Sequence, residues 1–121
     1  MKQQRIILET GTGTDLYGLD YTKAAIRSVN DAIRHSSLTL FSELGLDHKL
    51  MSVKVTIGVQ DPSAIDTARV AAELPRGKAT VTAVQGGQNI PSADGTTASV
   101  IAIAAIEAYY PIDQAAFKLS K

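Results

Sequence analysis

The chain contains no cysteine and no tryptophan, only two histidines, and aromatic residues make up 5% of its 121 positions. Without cysteine there are no disulfides, no thiolate zinc sites and no cysteine nucleophile. That absence fits a reducing compartment, so a cytoplasmic location is expected. With so few aromatics the core has to be built from Ile, Val, Leu and Ala. Neither sign of charge prevails: twelve basic residues face twelve acidic ones. No basic run supplies the electrostatic footprint of a nucleic-acid binder. Long hydrophobic runs are missing too. Nothing approaches the roughly 20 apolar residues of a membrane-spanning helix, and the apolar run in "MKQQRIILET" is too short for a signal peptide. The expectation is one soluble domain, residues 1–121, with no nucleic-acid or membrane partner.

What the sequence does contain is alternation. Ile6, Ile7 and Leu8 suggest a strand covered on both faces. From Thr22 the spacing changes: Ala25, Ile26, Val29, Ala32 and Ile33 form one helical stripe, with Asp20 or Thr22 as N-cap. Lys23, Arg27 and Arg34 lie mostly off that stripe, and Arg27 and Arg34 read as solvated helix charges. "SSLTLFSELGL" suggests a short second helical piece ended by Gly45. In "SVKVTIGVQ" the apolar Val53, Val55, Ile57 and Val59 alternate with Lys54, Thr56 and Gly58, a clear strand pattern. "DPSAIDTARVAAEL" opens with Asp61 as candidate cap and Pro62 at the first helical position, and should stop before Pro75. A turn through Arg76-Gly77 leads to a strand over Lys78–Gln85. "GGQNIPSADGTT" meets every turn-residue criterion and reads as a loop. "ASVIAIAAIEAYY" suits a buried helix or a central strand. Val100, Ile101 and Ile103, bounded by loop residues and Pro111, favour the strand. The tail reads as a short helical turn or a frayed end.

The resulting order is β-α-β-α-β-β: an α/β fold of mixed α+β type, a four-stranded mixed sheet with helices on one face. It resembles the small fold of the chorismate-mutase-like trimeric enzymes. That resemblance implies a homo-oligomer, a trimer or multiple, with sites in clefts between protomers.

The segment "ETGTGTDLYGLDYT", Glu9 to Thr22, is read as a glycine-rich loop. Dinucleotide binding would need a third glycine at Leu16, and a phosphate loop would need a lysine after Gly18; both motifs fail. An anion nest built on Gly11 to Thr14 is opposed by the charge of Asp15. A carboxylate at that position suits binding of a hydroxyl, amide or amine, or general-base chemistry. The plainer alternative is that Gly11 and Gly13 supply backbone angles while Asp15 caps a turn or the next helix. His35, at the end of the first helix, reads as a dipole cap, and His48 as incidental. No third ligand joins them, so no metal and no cofactor are expected.

"GTGTDLYG", Gly11 to Gly18, resembles the G-x-G-x-D-x-H-G motif of a small uncharacterised conserved family of bacteria with longer plant members. "TKAAIRSVNDAIRHSSL", "VKVTIGVQDP" and "ELPRGKATVTAVQGG" resemble its successive blocks. The resemblance implies where a site lies and no activity. Tyr17 stands where that family has His, which argues against a metal held by Asp15 and its neighbour two residues on. The site expected from all this has Asp15 as catalytic base with Lys54 or Lys23 as electrostatic support. Gly11, Gly13, Tyr17, Gly18, Lys23, Gly86, Gly87 and Ser92 form its ligand-binding wall. The ligand expected is a small polar molecule, planar and nitrogen-containing, in an intersubunit cleft. The competing reading is a non-catalytic assembly or interaction protein.

Overall fold

A computed structural model of the chain describes residues 2–16, 18–34, 50–74 and 78–112. The expected helical piece over 36–46, the turn at Arg76-Gly77, the tail beyond 112, and Tyr17, His35 and His48 lie outside the described residues.

Thr10-Gly11-Thr12-Gly13-Thr14-Asp15 alternates with a period of two, and β-branched threonines favour extended backbone. These residues are not a loop. They are the second half of strand β1, which runs over Lys2–Asp15, leaving residues 16–20 as the connection to helix α1, Tyr21–Arg34. The remaining elements are β2 (Ser52–Val59), a 3-10 turn (Pro62–Ala64), α2 (Thr67–Ala71), β3 (Lys78–Gln85), β4 (Gln88–Pro91) and β5 (Ala98–Ile112). The sheet order is β1-β5-β2-β3, with β4 paired to the start of β5. β5 runs antiparallel to β1 and β2, while β2 and β3 are parallel. The result is an open mixed sheet of five strands with the helices on one face. The expected mixed architecture is present with one strand more. Residues 88–91, read as loop because of their turn-forming neighbours, pair as β4 once β5 offers them an edge.

β5 is the central strand, and its alanines explain its ambiguous sequence. Ala102, Ala104, Ile106 and Ala108 point to the helix side and are buried. Gly11 pairs with Ala104 and Gly13 with Ala102, so β1 and β5 together present a smooth floor. On it lie the small residues Ala24, Ala25, Ser28 and Ala32 of α1, all buried. A side chain on Gly11 would strike the backbone of Ser28 and Ala32, and one on Gly13 that of Ala24 and Ser28. Close approach buys dispersion contacts along the whole helix. The rest of the core is larger: Val53, Val55, Ile57, Val59, Val70 and Val100 are fully or almost fully buried, each contributing roughly 1.5–3 kcal/mol.

Expected caps are partly confirmed. Asp20 does cap α1, accepting the Lys23 N–H on Oδ1 at 3.0 Å. Asp61 makes no side-chain cap, and Pro62 opens only the 3-10 turn. α2 starts five residues later, where Asp66 accepts from the Arg69 N–H. Thr22 ties this segment to α1: its Oγ1 donates to the Ala64 carbonyl and accepts from the Asp66 N–H. Two side chains of α1 also reach the free edge of β1, Asp31 accepting from the Thr12 N–H and Arg27 donating to the Thr14 carbonyl. Pairing groups on an exposed edge are thereby occupied.

Candidate functional site

Because β1 alternates, the two glycines that face α1 are followed by a third inward residue, Asp15, at the strand's end. It is a carboxylate with only 7% of its side chain exposed, and buried carboxylates require partners. Its two oxygens are used differently. Oδ2 accepts the Asp20 N–H at 3.0 Å and so closes the 16–20 connection, which matches the plainer reading of Asp15 as a turn cap. Oδ1 faces Lys23 Nζ at 3.7 Å and Arg27 Nη1 at 3.8 Å. These are ion-pair distances, too long for direct hydrogen bonds. The cations therefore neutralise the carboxylate without saturating it.

Asp15, Leu16, Gly18, Asp20, Lys23 and Arg27 line a pocket of about 440 Å³, within the size range of small-molecule sites. Its loop is held in place at several points. Ser99 Oγ donates to the Leu16 carbonyl at 2.8 Å. Leu19 has φ 51°, a conformation that costs a non-glycine residue on the order of 1–2 kcal/mol. Gly18 lies so close to Asp15 that a Cβ there would sit 2.9 Å from Oδ2.

Of the residues expected from the sequence, Asp15, Gly18 and Lys23 meet in this pocket. Gly11 and Gly13 do not line it; their missing side chains admit α1. Gly86 and Gly87 serve another packing purpose. The chain leaves β3 over the end of β2, where Gly86 Cα lies against Gly58, and Gly87, at φ 60°, has no room for a Cβ beside the Ile101 and Gly58 carbonyls. Gln60 fixes that crossing by donating to the Gly86 carbonyl at 3.0 Å. Ser92 belongs to the β4–β5 turn, where Ser92 Oγ and Thr96 Oγ1 donate to Asp94 at 2.6 and 2.8 Å. These bonds pull the Asp94 carboxyl down to about 2.

Lys54 does not join Asp15. It pairs with Glu107, seven residues from the Val100 partner of Asp15 along β5, a separation of about 23 Å at strand rise. It also sits on the opposite face of the sheet. There it borders a recess of about 330 Å³ with Ser52, Val53, Thr80 and Tyr109. The Tyr109 hydroxyl donates to Glu107 at 2.7 Å. That bond lowers the Glu107 carboxyl and raises the Tyr109 phenol.

Arg27, read from sequence as a solvated charge, is the pocket-lining residue that was missed. The signal was its spacing: Asp20, Lys23 and Arg27 recur at three and four residues, which places them on one side of α1. Among the described residues no helix is long and apolar enough to cross a membrane.

Comparison with known proteins adds a family and a fold neighbour. No curated protein matches the chain. A crystal structure titled as that of an FtsZ-like protein of unknown function from Nostoc punctiforme is similar at 32% identity and TM-score 0.80. The match covers 93% of this chain and 99% of that one. Residues 5–108 match the model of a family described as conserved hypothetical protein (Lin0512_fam), which spans β1 through most of β5, and the chain belongs to that family.

Proposed function

We propose that this domain binds a small polar molecule in the pocket at the end of β1, with Asp15 as the group placed to accept its hydrogen bond and to take its proton. The observation that carries the reading is the Oδ1 of Asp15. It is one oxygen of a buried carboxylate, at the wall of a pocket, attracted by two half-exposed cations and directly bonded by neither. A purely structural cap would need only Oδ2. Lys23 and Arg27 supply electrostatic support, and Leu16 the apolar contact.

The reading extends to self-association. The sheet face opposite the helices exposes Val84 and Ile103, on either side of Gly58, at 41 and 46%, and Leu8, further along the sheet, at 50%, and exposed apolar surface marks contact faces. The same face is what an assembly protein without a ligand would use, and this is the second reading.

Asp15→Asn separates the two. An asparagine can still accept the Asp20 N–H, so the loop is retained while the charge is lost. In a thermal-shift screen of metabolites, at least one compound is expected to raise the melting temperature of the wild type and not of Asp15→Asn, with oligomeric state by light scattering unchanged. Equal shifts in both proteins would sink the Asp15 site. An absence of any shift, with a stable oligomer, would favour the assembly reading.

A further inference from the structure

The charges around the pocket are arranged as well as balanced. Asp15 and Asp20 are opposed by Lys23 and Arg27, so the lining carries no net charge. A simple anion entering would meet two carboxylates, and a simple cation would meet two cations. The signs are also ordered along α1. Asp20 stands before its first turn, and Lys23 and Arg27 follow on successive turns; at helix rise, Asp20 and Arg27 are separated by roughly 10 Å. Asp20 thus marks the helix start and Arg27 a point deeper along the helix, while Oδ1 of Asp15 lies beside both cations, 3.7 Å from Lys23 Nζ and 3.8 Å from Arg27 Nη1.

Each charged group keeps bonding capacity for a ligand. Arg27 uses Nη1 on the Thr14 carbonyl, and among the described residues its Nη2 and Nε take no partner. This is the edge of a guanidinium that binds a carboxylate by two parallel bonds. Among the described residues the Lys23 ammonium makes only the long ion pair to Asp15. Asp20 accepts the Lys23 N–H on Oδ1, leaving Oδ2, and Asp15 has its Oδ1. Leu16, 54% exposed, offers an apolar surface beside these polar groups.

Resting on the small-molecule reading above, the geometry points to a zwitterion as the ligand, an α-amino acid. Its carboxylate bonds Arg27 Nη2 and Nε and the Lys23 ammonium. Its ammonium lies between Asp20 and Oδ1 of Asp15, and its side chain lies against Leu16. Each charge of the ligand then has an opposite charge to bond, and where the two meet, at Oδ1 of Asp15, the lining's own carboxylate and cations already offset one another.

The test is calorimetric titration of the full chain with each of the twenty L-amino acids. The best of them is then compared with the amine lacking its carboxylate, the acid lacking its amino group, and inorganic phosphate. The amino acid is expected to bind at least about tenfold more tightly than any of the three. Asp20→Asn preserves the helix cap, since asparagine caps as well as aspartate, and is expected to weaken the amino acid while leaving the acid unchanged. Arg27→Gln is expected to weaken the amino acid and the acid together. If the acid or phosphate binds as tightly as the amino acid, the pocket is a plain anion site and the inference falls while the binding site stands. If no amino acid binds but another metabolite shifts the wild type and not Asp15→Asn, the inference falls alone. If nothing binds, both fall.

Discussion

Two segments of this chain share a glycine-rich, polar composition: residues 11–18 and residues 85–95 each hold three glycines and one aspartate. In the first, Gly11 and Gly13 lie inside a strand and under a helix, and the polar residues that follow are drawn into a pocket. In the second, Gly86 and Gly87 cross the end of β2, and the polar residues that follow bond one another at the surface. Ser92, Asp94 and Thr96 satisfy themselves within a turn. Asp15 is satisfied across an element boundary, by the start of α1, and on one oxygen only. What separates a candidate site from a turn here is burial and the origin of the partners, not the polar composition.

The comparison can be broken in a graded series. Gly13→Val puts a branched side chain against the Ala24 carbonyl and Ser28 N–H. Overpacking against backbone that cannot yield is expected to cost about 3 kcal/mol or more. In chemical denaturation the variant should be largely unfolded or strongly shifted in midpoint; a midpoint near the wild type's would mean that α1 is not seated as described. Gly87→Ala combines a positive φ with a collision at the Ile101 carbonyl. It is expected to cost about 2 kcal/mol while leaving ligand binding at the Asp15 pocket intact, because the two regions share no residue. Gly18→Ala is the reverse case. Its methyl presses on Asp15 Oδ2 at 2.9 Å, so a stability loss of about 1 kcal/mol should accompany a larger loss of ligand affinity, read by titration. If Gly18→Ala spares binding and Gly87→Ala abolishes it, the two segments have been assigned the wrong roles.

The smallest effect belongs to Asp94. Its carboxyl is lowered to about 2 from 3.8 by bonds from Ser92 and Thr96. A lowered folded-state value means the stabilisation is present above 3.8 and is lost as pH falls through about 2. The stability difference between wild type and Asp94→Asn should therefore shrink over that acid window, measured by denaturation at stepped pH. The Asp15 pocket is not involved. A difference that stays constant down to the lowest pH would show that the turn bonds do not depend on the charge.

Much of this was legible in the residues. β2 was plain because Val53, Val55, Ile57 and Val59 alternate with polar positions against a buried face. The Asp20 cap followed from residue type and place. β5 was the harder case: alanines read equally as helix and as strand until it is seen that they lie under α1, where only small side chains fit. The end of β1 was misread for the same physical reason. Glycine signals turns because it tolerates unusual backbone angles, yet Gly11 and Gly13 are extended residues chosen for lacking a side chain, and the alternating threonines were the overlooked sign. Arg27 was missed because its solvent-facing position on α1 looked complete without a partner. Its partner lies across the chain, at the end of a strand that had been read as a loop. The separation of Lys54 from Asp15 depends on which strands are neighbours and on which face each residue stands, and neither is written in local spacing.

The seating of α1 directly on glycine backbone constrains how this protein can change. A helix resting on side chains can slide or tilt as those side chains are exchanged, and a pocket at its end can widen by degrees. Here the helix meets main-chain atoms, and main chain has no smaller version of itself to offer. The distance between Asp15 and the first two turns of α1 is thereby set by the fold. Variation in the pocket lining is left to the side chains at positions 16, 20, 23 and 27. Relatives with different preferences should differ there while keeping glycine at 11 and 13.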